Sequence, residues 1–553
     1  MRKLWLCLAR DFATSFPGDI FELFCKRLQE DSLFPRKYNW PDKNVLPVPL
    51  FKRMYQLENF WKRYRFGEDM YSDKELEEMT VGKFLTTQSR IARPIHVGTK
   101  EFLVLRRARA ICSQILGKYT ESDLHESCRF GKNACLGVPF RDSFLHVKLS
   151  RALTGTHEHI RWFRGHLLTD KLLSEIVAGA GDSSARYEVC QALPLHLVPK
   201  SFKSFRVIKP PTLLGSYYTQ GIGRMIAERL KDAGLDIKRL QDKHRAYVSR
   251  SSRDKKLVTA DLSAASDSLS RELLRRILPC RWYHAIMRGR VPNITYEGTS
   301  TLLSSVLTMG DGDTFPIQTL IFYCLLRAIG DVSGKKTFVS VYGDDLVYSR
   351  HIHRYVKVIF PNFHLQLNME KTYVETHFRE SCGSDCYHGV DVRPFQPQGE
   401  YQLLDNDTYC IFLYKLYNGF VRRWTYEEIP STLELILNEL ILYSRQLYQV
   451  PPSFPDTSGI KVDTPQNHWY FSPVIYNQNN SATFKYLKDA RKVRKINNGH
   501  IKVYFWETLR VNTQGADEFH FERDSMLPLL VYKKVRVDGK KVAIVGVPKK
   551  GST

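Results

Sequence analysis

The sequence predicts an α+β fold, and three stretches carry the prediction. Val339-Ser340-Val341-Tyr342 and Leu346-Val347-Tyr348 are strand-forming runs on either side of Gly343-Asp344-Asp345, which is a hairpin signal. Val258-Thr259-Ala260 reads as a short strand that passes Asp261 and leads into a helix running toward Leu278. From about Pro316 to Ile329 an apolar run follows a proline suited to a first helical turn. Strand-like and helix-like patterns thus alternate between about residues 251 and 395, as an α+β domain requires.

Taken in chain order, Met1 to Ala9 resembles a signal peptide superficially. Arg10-Asp11 ends its apolar run and no small-residue cleavage site follows, so it reads as a first helix. Ile20 to Leu28 has helical character, and Phe34-Pro35, Trp40-Pro41 and Leu46-Pro47-Val48-Pro49 read as connections. From about residue 91 to 250 the chain is basic and partly helical, with Arg106, Arg107, Arg109, Arg151, Arg161 and Arg164 among its cations. Beyond about residue 395, Tyr409 to Trp424 and Leu433 to Leu447 have helical periodicity, and Val450-Pro451-Pro452-Ser453-Phe454-Pro455 is a connection. A basic run from Lys485 to Lys495 precedes an expected terminal hairpin, with Asp538-Gly539 turning between Val531 to Val537 and Lys540 to Val547.

Composition narrows the function. In 553 residues, 82 Lys and Arg stand against 58 Asp and Glu, a net charge of +24 that suits a phosphate-rich partner. A membrane role is disfavoured because the longest apolar stretch, Ile317 to Ile329, holds Gln318 and Arg327 and is too short to span a bilayer. The 11 scattered cysteines fit a reducing cytoplasm better than a disulfide framework. Cys382 and Cys386, near His377 and His388, lack the second pair that a structural zinc site would need.

Asp344 and Asp345 are the chemical centre of the sequence. Adjacent carboxylates raise each other's pKa unless a cation reverses the local electrostatics, although Gly-Asp-Asp alone also suits a solvated turn. A strand carrying Asp261 beside this hairpin would make the three acids converge, and oxygen ligands select hard Mg²⁺ or Mn²⁺. Two such ions define a phosphoryl-transfer site. Gly310 and Gly312, in Thr308-Met309-Gly310-Asp311-Gly312-Asp313-Thr314-Phe315, permit close backbone approach to a ligand. Lys200, Lys203 and Arg206 place positive charge at steps of three among aromatics, as a triphosphate or single-stranded RNA would require. Lys371 is a candidate to protonate or stabilise a leaving pyrophosphate.

The order and wording of these segments resemble the replicase subunit family of the leviviruses, small positive-strand RNA bacteriophages, and more broadly the right-handed RNA-directed RNA polymerases. The resemblance rests on Asp261-Leu262-Ser263-Ala264-Ala265-Ser266-Asp267-Ser268, Met309-Gly310 with Gly312 and Thr314-Phe315, Tyr342-Gly343-Asp344-Asp345, Lys371-Thr372, Phe378-Arg379-Glu380-Ser381-Cys382-Gly383 and Gly389-Val390-Asp391-Val392. Upstream, Val198-Pro199-Lys200, Lys203, Arg206 and Gly221-Ile222-Gly223 also fit, and the likeness is strong from about residue 197 to 395.

The resemblance implies a right hand with an N-terminal region (1–90), fingers (91–250), a palm of antiparallel sheet plus helices (251–395), and a thumb with a basic C-terminal region (396–553). It implies two Mg²⁺ ions, replaceable by Mn²⁺, held by Asp261, Asp344 and Asp345, with Lys371 as general acid. Asp267 would recognise the ribose 2′-hydroxyl; Lys203 and Arg206, with Lys200, would bind the triphosphate; and Gly310, Asp311 and Thr314 would border the nucleotide. Cys382 would mark the palm-to-thumb turn. Implied partners are template and nascent RNA, nucleoside triphosphates, host elongation factors Tu and Ts and an RNA-binding ribosomal protein, in the cytoplasm of an infected bacterium. The chain departs from the family at Asp311, Asp313 and Pro316, where asparagine, an aromatic and glutamate are usual. The extra carboxylate could repel phosphate, bind a metal or accept a ribose hydrogen bond. Two rival readings are a reverse transcriptase and a non-catalytic RNA-binding protein.

Overall fold

The computed structural model describes residues 1–13, 16, 18, 45–60, 62, 72–140, 143–179, 186–201, 204–397, 406–444, 446–464, 466–476, 481–492 and 531–543. Helices and short sheets alternate in an α+β arrangement. Two compact units can be told apart. One gathers the described residues of Met1–Met70, Val392–Lys492 and Leu530–Thr553, the other those of Tyr71–Asp391.

In the second unit the core is built around helix Thr314–Val332, which packs against helices Thr99–Leu116 and Leu213–Asp232. Ile317, Leu320, Ile321, Phe322, Leu325 and Leu326 are all buried, so the helix is apolar on nearly every face. Each such side chain contributes about 1.5–3 kcal/mol by leaving water. At 19 residues this helix is longer than the apolar run alone indicated. By length and composition it could cross a membrane, yet 72% of its apolar window is buried inside the protein. Side-chain caps fix where neighbouring helices begin. Ser72 and Glu75 form a reciprocal capping box, and Thr212 accepts from the Gly215 amide at 3.1 Å.

The central sheet of this unit has three antiparallel strands. Leu257–Ala260 pairs with Asp345–Ser349, which in turn pairs with Val339–Tyr342. Helix Ile237–Asp254 is tied to it by buried His244, whose ring nitrogens lie 2.9 Å from Ser340 Oγ and 2.8 Å from Ser381 Oγ. Burial lowers this imidazole to about 4, so it stays neutral and bridges two hydroxyls.

Several elements differ from expectation. The helix following Asp261 begins only at Arg271 and ends at Ile277, because Leu262–Ser263 pairs as a strand with Gln366–Leu367 and Ser266–Ser268 makes a single 3₁₀ turn. Leu46 to Pro49 is not simply a connection. Pro47 is the N-cap and Val48 already starts helix Val48–Asn59, since proline lacks only an amide the first turn leaves unbonded. Asp538-Gly539 does not turn: it lies inside strand Val531–Ala543, where Asp538 faces Tyr486 and Gly539 faces Lys485 of strand Ser481–Lys492. A partner of matching length keeps that run extended. Ile20 to Leu28, Phe34-Pro35 and Trp40-Pro41 lie outside the described residues.

In the first unit, helix Arg2–Ala13 supplies Asp11, whose carboxylate accepts from the Ser431 and Thr432 amides at 3.2 and 2.9 Å where helix Pro430–Tyr443 begins. An acid there satisfies open amides and complements the helix dipole. Buried Gln56 exchanges two 2.8 Å hydrogen bonds with the Phe395 backbone.

Candidate active site

The acidic hairpin turns at Gly343-Asp344, with Tyr342 facing Asp345 across it. Gly343 has φ +61°, a conformation that favours glycine, and an added Cβ would lie 2.3 Å from the Phe315 ring. Its amide donates to Thr319 Oγ1 at 2.9 Å, and the Phe315 ring meets Tyr342 edge-on at 4.7 Å. The buried helix Thr314–Val332 thereby fixes the turn. Because Leu346 pairs with Ala260, Asp261 leaves its strand at the same end of the sheet as Asp344 and Asp345.

Electrostatics couples the three acids. Desolvation and then Asp344 push Asp345 up to about 7, while desolvation and then Asp261 raise exposed Asp344. Asp261 Oδ2 lies 3.1 Å from Lys371 Nζ, and Asp345 Oδ2 accepts from the Cys382 amide at 3.1 Å. With these contacts in place, no three His, Cys, Asp or Glu side chains among the described residues form a group that would hold one ion. The donors nevertheless fit a hard divalent cation. They are carboxylate oxygens, and their mutual repulsion is the kind a cation would relieve.

Lys371 is half-exposed. Burial works to lower its pKa, but the carboxylates of Asp261 and Glu380 outweigh it and raise the pKa above the usual lysine value. Lys200 is on the edge of a hairpin formed by His196–Ser201 and Ser204–Ile208, in which Arg206 faces Val198. Desolvation, followed by Arg206 and Lys371, lowers Lys200 against the pull of Asp261 and Asp344, so its ammonium is within electrostatic reach of the acids. Arg206 is exposed on the opposite strand; Lys203 lies outside the described residues. Asp267 sits on the 3₁₀ turn, accepts from Ser266 Oγ at 3.3 Å, and is pushed by burial up to about 7.

The glycine loop is held from behind. Gly310 has φ +124°, and a Cβ there would lie 2.2 Å from the Lys209 carbonyl. Thr314 Oγ1 donates to the Thr308 carbonyl at 2.8 Å. Asp311 takes a hydrogen bond from Thr308 Oγ1 at 2.9 Å and an ion pair from Lys209 Nζ at 3.2 Å, with the two paired side chains only 8% and 2% exposed. Asp313 is buried beside them. Its Oδ1 has no hydrogen-bond partner, and burial followed by the charge of Asp311 raises its pKa far above the carboxylate range. The structure therefore gives Asp311 an internal cationic partner and leaves Asp313 buried with its carboxyl pKa raised.

Lys209 is the residue that sequence reasoning missed. The signal was an uncompensated acid pair in the loop, but the partner is about a hundred positions upstream and nothing local connects them. Arg379 lies within the Phe378-Arg379-Glu380-Ser381-Cys382-Gly383 segment. Buried, it donates to the carbonyls of Leu257 and Val374 at 3.0 Å each and Phe378 at 2.8 Å, tying strand Phe378–Ser381 to the central sheet's edge. Cys382, at φ +49°, turns its amide toward Asp345. The His377 and His388 rings stack 3.9 Å apart near Cys386.

Comparison with known proteins adds a family. Residues 86–530 match the model of the RNA replicase, beta-chain, family. The RNA-directed RNA polymerase beta chain of Escherichia phage MS2 is 30% identical over 289 residues, covering 52% of each chain. The corresponding beta subunit of Escherichia virus Qbeta is 30% identical over 291 residues, covering 50% of this chain and 49% of that one. The chain spans about half the length of the curated relatives it matches. Among solved structures, the RNA-dependent RNA polymerase of a human picorbirnavirus is similar at a TM-score of 0.41 and 13% identity, over 68% of this chain and 78% of that one. With the family model spanning most of its length, the chain belongs to the RNA replicase beta-chain family.

Proposed function

We propose that the chain is an RNA-directed RNA polymerase that replicates a positive-strand RNA phage genome by two-metal nucleotidyl transfer in the cytoplasm of an infected bacterium. The observation carrying this reading is the register that sets Asp261 at the same sheet end as the Asp344-Asp345 turn. Family membership supports it. Two Mg²⁺ ions held by Asp261, Asp344 and Asp345, with Mn²⁺ able to substitute, would activate the attacking 3′-hydroxyl and stabilise charge on the reacting phosphate.

The remaining roles fall to this chain's own groups. Lys371, its ammonium 3.1 Å from Asp261 Oδ2, carries a proton at neutral pH as lysines do and would give it to the leaving pyrophosphate. Lys200, Lys203 and Arg206 would draw the triphosphate toward the acids, and the loop from Gly310 to Thr314 would border the nucleotide. Asp267 would help to recognise the ribose 2′-hydroxyl. In the same reading, residues 1–90 form an N-terminal region, 91–250 fingers, 251–395 palm, and 396–553 thumb with a basic C-terminal region. Elongation factors Tu and Ts and an RNA-binding ribosomal protein complete the enzyme.

Asp345→Asn tests the assignment. Incorporation should be abolished while template binding is largely spared, and a variant with full activity would sink the site. Ribo- and deoxyribonucleotides competing on one template separate this reading from a reverse transcriptase. Preferred deoxyribonucleotide incorporation would overturn the assignment, and template binding without any incorporation would favour the non-catalytic reading.

A further inference from the structure

A second concave surface lies at the other end of the central sheet. It is a cavity of about 1100 Å³, walled by Leu257, Phe338 and Ser349, the residues at or beside the strand ends farthest from the Asp344 turn. Five strand residues at about 3.3 Å each separate it from that turn by on the order of 15 Å. It is therefore distinct from the acidic site.

Its charge is one-sided. Lys256, Lys335, Lys336, Arg354 and Lys357 line it, all exposed, and none has a carboxylate ion-pair partner among the described residues. The two acids on its wall are already engaged, Asp254 with Arg250 at 3.7 Å and Glu375 with Arg350. Two histidines stand among these cations. Desolvation and then Lys335 lower His351, while desolvation and then Lys357 lower His353. Cations that converge on a hollow repel one another unless an anion joins them. Aromatic surface accompanies the charge: Phe338 is 37% exposed and meets the Tyr247 ring edge-on at 4.9 Å. Cations without a carboxylate partner around an exposed aromatic are what a single nucleic-acid strand uses, phosphates on the one and a base on the other.

We infer that this cavity is a second RNA-binding site, which holds a segment of single-stranded RNA through its phosphates at a distance from the catalytic acids. The choice of RNA over an acidic protein rests on the aromatic wall and on the polymerase reading above. The site gives a long template a hold on the enzyme that a very short one cannot reach.

The test uses the full chain carrying Lys335→Glu, Lys336→Glu and Lys357→Glu together, with a milder Lys→Gln triple variant beside it. Binding of a labelled 20-nucleotide single-stranded RNA is measured across a salt series, and incorporation is measured on a template too short to span both sites. The expected result is weaker binding of the long RNA, with the slope of log affinity against log salt reduced by about two, since each lost phosphate contact on a single strand removes about 0.7. The Gln variant should fall between the parent and the Glu variant, and short-template incorporation should be unchanged. Parental affinity and slope in both variants would overturn the inference. So would lost binding of a poly-glutamate probe with RNA binding intact, which would identify an acidic protein surface as the ligand. Failure of the parent chain to incorporate nucleotides at all would instead count against the polymerase reading, because the binding arm is scored without turnover.

Discussion

At the scale of single residues, the loop from Thr308 to Thr314 is a place where burial and charge oppose each other. Lys209 and Asp311 are both nearly inaccessible, so removing one leaves a buried charge without its partner. Lys209→Met should destabilise the protein by about 3–5 kcal/mol, and the double change Lys209→Met with Asp311→Leu should recover most of that loss. Denaturant midpoints of the parent and the two variants check this; equal losses in the single and double variants would contradict it. Asp313 makes a prediction about pH. Its folded pKa lies above the unfolded one, so below the unfolded value, near 3.8, both states hold the proton and there is no penalty. As pH rises, the unfolded chain releases the proton while the folded one retains it, and stability is lost. Asp313→Asn removes that penalty, so its melting temperature should exceed the parent's by more at pH 8 than at pH 5. A gain independent of pH would reject the neutral carboxyl. None of this was legible in the sequence. The acids at 311 and 313 stood out there as departures from a family pattern, but Lys209 reaches them only through the fold.

Elements were readable where the signal was local. Alternating valines around Gly343-Asp344 specified the hairpin, and its pairing with the strand before Asp261 followed from one sheet. Reading failed where pairing was remote. Asp538-Gly539 has the chemistry of a turn but pairs along its length with Ser481–Lys492. The segment after Asp261 has good helix formers, yet Leu262-Ser263 is claimed by Gln366-Leu367. The glycine loop shows how an element is held by its surroundings. Gly310→Ala would place a Cβ against the Lys209 carbonyl at φ +124°, a strain of about 1–3 kcal/mol, and should reduce nucleotide incorporation while leaving template binding close to the parent's. Equal incorporation would show that the loop has no part in the reaction. The helix behind the loop is a simpler case. Leu320 is fully buried, and Leu320→Ala should cost about 2–5 kcal/mol in a denaturant titration.

For the whole molecule, the +24 charge, the acids at one end of the central sheet and the cations at the other make one pattern. In the proposed reading basic surface would hold RNA, and Asp261, Asp344 and Asp345 would face the place where nucleotides react. The sequence carried the acidic half of this pattern in contiguous motifs. The basic hollow was not visible there, because Lys256, Lys335 and Lys357 come from separate segments and each looks like an ordinary surface charge. The most direct test of the polymerase reading is RNA-templated incorporation of labelled ribonucleotide by the purified chain, with elongation factors Tu and Ts present, in Mg²⁺ and after its removal with a chelator. Incorporation should depend on template, vanish with the metal, and be absent from the Asp344→Asn, Asp345→Asn double variant even though that variant still binds template. Undiminished incorporation by the double variant, or incorporation that survives chelation, would contradict it.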